Sequence, residues 1–329
     1  MNQILKKVVA SYLVFAMTIQ LVLVNGAHAD EIKNPASPVL HEKISPLAVG
    51  FGNLLVPGLG ATLQDEPLTG LTEAALEIGS FYGGTSMGRE SRFKIDGSID
   101  IPESGSVGRA ATARVLQQFG LKYHFYNTFY HYQQAAIADE ESERERNNPQ
   151  PLYRGTWKDV ITAPFQWDNL KSNWTWPIVL GVSAYLIYDY SQSSVTLRRS
   201  GLSGGDQTVY GASELIAIPV GSSFGEDPLF RGFIEREARG YTGSLWLAVL
   251  AETIPFALLH EDHVTSFLVG SYFGIEADAL RGDLGPMMAA HFWINVVIGA
   301  LDFFQMRRAI GKEAPLNPPV VIQFQLPIF

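Results

Sequence analysis

The stretch FGEDPLFRGF, residues 224–233, decides how the chain is interpreted, because it places three ionisable residues inside an apolar run. Asp227 and Arg231 are four residues apart, the spacing that puts two side chains on one face of a helix, so we predict an ion pair between them. Glu226 is one residue earlier and points elsewhere, which predicts a free carboxylate. Ionisable residues in apolar segments are costly and are candidates for function.

Two further apolar stretches carry histidines. FALLH ends at His260, and HFWIN runs from His291 to Asn295. The spacing in HFWIN predicts that its histidine and asparagine project from one helix face. A single histidine in an apolar helix is more often a hydrogen-bonded packing residue than a catalyst. A carboxylate and two imidazoles that converge, however, could activate a water and stabilise an oxyanion.

The composition of the chain favours a membrane protein. Charged residues make up 17% of the 329 residues, below the roughly 25% of ordinary soluble domains, and the apolar residues are gathered into long stretches. The net charge of −9 gives no electrostatic support for nucleic-acid binding. The absence of cysteine excludes disulfides, thiolate metal sites and cysteine nucleophiles.

The apolar stretches predict an all-α fold, a polytopic transmembrane helix bundle with an N-terminal helical extension. A helix needs about 20 mostly apolar residues to span a bilayer, and several of these stretches are shorter, as in a bundle of tilted or partly re-entrant helices. The stretch 68–84 contains Glu73 and Glu77 and is expected to be interfacial or re-entrant. The predicted apolar helices are 45–64, 174–188, 209–224, 244–260, 264–275 and 284–304.

The N-terminus is typical of an export signal. Lys6 and Lys7 precede an uncharged apolar run, which is followed by an A-x-A pattern that ends at Ala29. We therefore expect a signal peptide over residues 1–29 and a mature protein that begins at Asp30. An uncleaved membrane anchor is the alternative.

In this order, the three clusters resemble a known family. The pattern E-[ED]-x-x-x-R, then F-x-x-x-H, then H-x-x-x-[ND] is that of the CPBP intramembrane proteases, the CAAX amino-terminal protease or Abi family, which includes the type II CAAX prenyl endopeptidases. The resemblance covers residues 174–304. The chain departs from the pattern in two ways: Asp227 stands where glutamate is usual, and Pro228 removes a backbone donor where the family helix often continues.

The resemblance implies a membrane endopeptidase that hydrolyses a peptide bond of a membrane-associated peptide or protein substrate. It assigns catalytic roles to four residues, Glu226, His260, His291 and Asn295. The glutamate and the first histidine would orient and deprotonate a water, and the other two would donate to the oxyanion. Asp227 and Arg231 would hold the first motif in place.

The sequence leaves the cofactor and the activity open. A divalent metal such as zinc could be bound by Glu226, His260 and His291, and the same three residues could serve a mechanism without metal. An inactive relative that acts as a membrane scaffold or as an immunity-type partner-binding protein is the alternative to an enzyme. The expected location is a bacterial inner membrane, with several spans.

We predict four parts of the chain. The signal peptide (1–29) precedes an N-terminal extension (30–151) with one or two membrane segments and an aromatic helix over 108–138. The CPBP-like protease domain (152–310) and a C-terminal tail (311–329) follow.

Overall fold

The computed structural model describes residues 44–88, 92–93, 99–100, 107–139, 151–192, 204–260 and 262–309. In these ranges the chain is helical apart from β1 (Arg92–Phe93) and β2 (Ile99–Asp100), which pair in antiparallel fashion. The predicted all-α fold is therefore confirmed except for this short pair. The helices are α1 Pro46–Leu55, α2 Leu59–Leu63, α3 Pro67–Gly88, α4 Val107–Ala138, α5 Trp157–Thr162, α6 Trp167–Leu170, α7 Thr175–Gln192, α8 Gly204–Ala212, α9 Ile218–Asp227, α10 Arg236–Thr242, α11 Leu245–Leu258, α12 His263–Ala279 and α13 Gly285–Ala309. A 3-10 turn spans Ala163–Phe165, and π-helical segments span Ser213–Ala217 and Pro228–Glu235.

One helix of the described part is long and apolar enough to cross a membrane. The span is Gly285–Phe304 of α13, and α1 and α11 are shorter apolar helices. The helices at 45–64 and 244–260 were predicted from the same apolar character. Several membrane crossings therefore remain a prediction.

Residues 204–242 form one continuous helical rod, in which the two π-helical segments alternate with α8, α9 and α10. Pro228 begins the second π-helical segment. Proline has no amide hydrogen to donate and crowds the preceding turn, so a local change of hydrogen-bond register is its expected effect. The helix nevertheless continues, and Glu226 and Asp227 lie in the turn just before the change.

Helix α4 packs directly against this rod. Phe125, Phe129 and Tyr132 of α4 form a buried cluster with Phe230 and Phe233. A second buried cluster surrounds the start of α13 and includes Met287 and Met288. The aromatic helix of the predicted extension is therefore in contact with the first motif, and the domain boundary at residue 151 stays a prediction.

The two glutamates of the stretch 68–84 are buried between α3 and α4. Glu73 accepts from His131 at 2.9 Å, and Glu77 contacts His124 at 2.8 Å. These partners explain how a 22-residue helix accommodates two acidic residues. The interfacial or re-entrant position of this stretch stays a prediction.

Two of the predicted parts of the chain lie outside the described residues. They are the signal peptide (1–29), with its cleavage before Asp30, and the C-terminal tail (311–329).

Candidate active site

The first motif is a buried ion-pair cluster. Arg231 Nη1 lies 3.6 Å from Asp227 Oδ1, and both side chains have no exposed area. Arg231 Nη2 lies 3.3 Å from Glu252 Oε2, and the guanidinium stacks over Phe256 at 4.2 Å from the ring centre. The predicted Asp227–Arg231 pair is formed, and one arginine compensates two buried carboxylates.

His291 is fixed by the same aspartate. Its Nδ1 lies 3.0 and 3.1 Å from the two carboxylate oxygens of Asp227. Because an ionised carboxylate only accepts, Nδ1 carries the hydrogen of this bond. The opposite nitrogen, Nε2, then faces Glu226 Oε2 at 3.5 Å. Asp227 therefore orients a histidine as well as pairing with Arg231.

His260 lies just beyond the end of α11 and is fixed by its own chain. Its Nδ1 is 2.7 Å from the carbonyl oxygen of Phe256, which can only accept, and its ring packs on the Phe256 ring with centroids 4.3 Å apart. Its Nε2 lies 3.7 Å from Glu226 Oε2. The histidine of the second motif therefore presents the same nitrogen to the same oxygen as His291 does.

The three side chains converge on one atom, Glu226 Oε2. This oxygen is buried and has no hydrogen-bond partner among the described residues. Both imidazole distances exceed a direct hydrogen bond, and both can be bridged by one water. The side chain of His260 is 30% exposed, against 6% for His291 and 4% for Glu226, so the site opens on the His260 side.

Glu226 is not the free carboxylate that its spacing predicted. Its Oε1 forms an ion pair with the ammonium of Lys122, which belongs to α4. Helical spacing could only show that Arg231 is not the partner of Glu226. It could not identify a cation that another helix contributes. One sequence signal could have identified this residue, since Lys122 is the one lysine or arginine in the aromatic stretch 115–138.

Asn295 follows His291 by one helical turn, as its spacing predicted, and is half-buried. Among the described residues, its side chain is not hydrogen-bonded to Glu226, His260 or His291. The structure thus brings three of the four candidate catalytic residues together around one atom, and the asparagine lies one turn further along α13.

The described residues do not fit a metal site. No group of three or more histidine, aspartate or glutamate side chains among them could hold a metal ion. The Lys122 ammonium already binds the Glu226 carboxylate, so a cation there would approach a like charge. The Lys122 ion pair therefore argues against a zinc site on Glu226, His260 and His291, and no metal is assigned to the site.

The segment that carries these motifs matches a known family. Residues 209–297 match the family model of type II CAAX prenyl endopeptidase, Rce1-like. This range contains Glu226, His260, His291 and Asn295, and it excludes Lys122. No curated protein and no solved structure matches the chain. The match covers less than half of the chain and supports the resemblance to the CPBP family of CAAX proteases, a class of membrane-embedded hydrolases.

Proposed function

We propose that the chain is an intramembrane endopeptidase that hydrolyses a peptide bond of a membrane-associated substrate. The observation that carries the proposal is the buried, unpartnered Oε2 of Glu226, which faces the Nε2 atoms of both His260 and His291. Water bound among these atoms would be surrounded by three acceptors and can donate to two of them. Such a water is oriented and polarised for attack on a carbonyl carbon.

In the proposed reaction, Glu226 accepts a proton from the water as its oxygen bonds to the scissile carbonyl carbon. His260 helps to orient the water through Nε2. The tetrahedral intermediate then collapses, the C–N bond breaks, and the proton passes to the leaving amine. The products are a new carboxylate and a new amino terminus.

The oxyanion of the intermediate needs donors. The amide of Asn295 can donate, since it makes no other side-chain hydrogen bond in the described part of the chain. His291 donates through Nε2 once Glu226 Oε2, 3.5 Å away, has passed to it the proton taken from the water, and the Asp227 carboxylate keeps its ring oriented.

The match to CAAX proteases supports peptide-bond hydrolysis at a membrane. A membrane-associated peptide or protein substrate is the matching proposal, and the single long apolar helix of the described ranges, α13, carries His291 into the site. Access from the His260 side would let a substrate reach Glu226 without separating α13 from the rod.

The test of this proposal does not require the substrate to be identified first. Membranes of cells that produce the wild type, Glu226→Gln or Glu235→Gln are compared by mass spectrometry of protein amino termini. Glu235 is a matched control, because it is a buried glutamate of the same rod, 4% exposed, and forms no hydrogen bond or ion pair with either site histidine.

We expect a set of new amino termini with the wild type and with Glu235→Gln, and their loss with Glu226→Gln at equal membrane levels. Identical termini in all three strains, together with full complementation by Glu226→Gln, would favour the scaffold alternative and contradict the proposal.

A further inference from the structure

Lys122 comes from outside the segment that matches the protease family, yet it contacts the central carboxylate of the site. It lies on α4, its ammonium pairs with Glu226 Oε1, and the residue is only 8% exposed. Burying an ammonium destabilises the fold unless the charge is paired. The packing of α4 must therefore hold Lys122 next to Glu226.

The crossing of α4 and α9 fits this lysine closely. A Cβ atom at Gly225 would lie 2.4 Å from the backbone oxygen of Lys122, which is closer than real Cβ contacts. A Cβ atom at Gly221 would lie 3.6 Å from Lys122 Cγ, an ordinary contact. The missing side chain at Gly225 therefore lets the lysine backbone approach the rod directly beside Glu226.

Contacts on both sides of Lys122 fix the register of α4 on the rod. Towards the start of α4, Arg114 Nη1 pairs with Glu214 Oε1 at 2.6 Å. Towards its end, the Tyr132 hydroxyl donates to Glu237 Oε1 at 2.5 Å. A slide or rotation of α4 would break these contacts, so the position of the lysine ammonium is determined by the fold.

The two oxygens of Glu226 are divided between different partners. Lys122 holds Oε1, and both imidazoles face Oε2. The ammonium therefore does not cover Oε2, and the proposed water can bind beside that oxygen. It also supplies the charge that Arg231 cannot supply, since Arg231 is engaged by Asp227 and Glu252.

We propose that Lys122 is a positioning residue of the active site, which holds Glu226 Oε1 so that Oε2 points at His260 and His291. The catalytic carboxylate of this protein is thus oriented by a helix of its N-terminal extension, and the matched segment alone is an incomplete site. This inference rests on the proposed function of Glu226.

The test compares Lys122→Met with Lys122→Arg in reconstituted full-length protein, with the substrate found by terminus analysis. Lys171→Met is the matched control, because Lys171 pairs with Asp168 on the surface at 2.5 Å with 59% of its side chain exposed. We expect Lys122→Met to lower kcat about a hundredfold with little change in KM, as for a displaced catalytic group. Lys122→Arg should restore part of that loss, and Lys171→Met should have no effect.

Unchanged kcat in Lys122→Met would overturn the inference. A higher kcat would also overturn it, because it would show that the lysine blocks the site.

A second measurement does not depend on cleavage. In the otherwise wild-type protein, Glu226→Gln should lower the melting temperature, because it leaves the Lys122 ammonium unpaired. In the Lys122→Met background it should raise the melting temperature, because it removes an unpaired carboxylate. The same shift in both backgrounds would show that the two residues are not coupled and would overturn the inference. Coupling without any cleavage by the wild type would instead contradict the proposed protease function.

Discussion

Replacing Arg231 by alanine should be among the most destabilising single changes in the site. The arginine has no exposed side-chain area, and it lies 3.6 Å from Asp227 and 3.3 Å from Glu252. Its loss leaves two buried carboxylates without a cation. Removal of one partner of a buried ion pair typically costs about 3–5 kcal/mol. With about 2–4 °C of melting temperature per kcal/mol for domains of roughly this size, the expected decrease is about 6–20 °C.

The measurement is the melting temperature of the purified protein in detergent micelles. Arg239→Ala is the matched control, because Arg239 pairs with Asp278 at 3.1 Å while its side chain is 17% exposed. This pair is partly exposed and screened by water, so its loss should lower the melting temperature much less than the loss of the fully buried Arg231.

A further variant separates charge from packing. In the Arg231→Met background, Glu252→Gln should raise the melting temperature, because it neutralises one of the unpaired carboxylates. If Arg231→Ala and Arg239→Ala lower the melting temperature by the same small amount, the reasoning from buried charge is refuted. It is also refuted if Glu252→Gln does not raise the melting temperature of Arg231→Met.

Two other predictions follow from the same geometry. Gly225→Ala places a Cβ 2.4 Å from the Lys122 backbone oxygen and should lower the free energy of unfolding by about 1–3 kcal/mol or more, measured by thermal unfolding. The control is Gly181→Ala in α7, where the new Cβ meets nothing within 4 Å, and it should be neutral or stabilising by up to about 1 kcal/mol. Equal losses of stability in the two variants would contradict the packing argument. Asp227→Asn can offer an amide N–H to His291 Nδ1 and so favour the wrong tautomer, which should lower kcat by up to about 10⁴-fold while the protein still folds; an unchanged kcat would show that the orientation of His291 does not depend on the aspartate.

The helices of the second half could be predicted because their signals are local. The stretch 244–260 corresponds to α11 (Leu245–Leu258), and 284–304 corresponds to α13 (Gly285–Ala309). Apolar composition and flanking polar residues are sufficient to find such segments. The strand pair at Arg92–Phe93 and Ile99–Asp100 has only two residues per strand, too few for any periodic pattern to show.

The site was predictable only as far as helical spacing reaches. The Asp227–Arg231 pair is a four-residue relation and could be read from the sequence. The hydrogen bond that His291 donates to Asp227 joins residues 64 positions apart and depends on how α13 crosses the rod. The family pattern suggested that these motifs meet, but it did not show which nitrogen of each histidine faces the glutamate.

The partner of Glu226 was missed for the same physical reason. Lys122 belongs to α4, and no periodicity links it to residues 224–233. A lone lysine in an apolar, aromatic helix indicates a buried partner, but many acidic residues in the chain could have provided one. Only the close approach of α4 at Gly225 identifies the correct acid.

Hydrolysis of one identified substrate by the wild type, Glu226→Gln and Glu235→Gln, each reconstituted in lipid bilayers, tests the central claim most directly. A general base typically contributes about 10²–10⁴-fold, so Glu226→Gln should lose at least about a hundredfold in rate. Glu235→Gln should cleave at nearly the wild-type rate, since Glu235 forms no hydrogen bond or ion pair with His260 or His291. Cleavage by Glu226→Gln at the wild-type rate would contradict the assignment of Glu226 as the group that activates water.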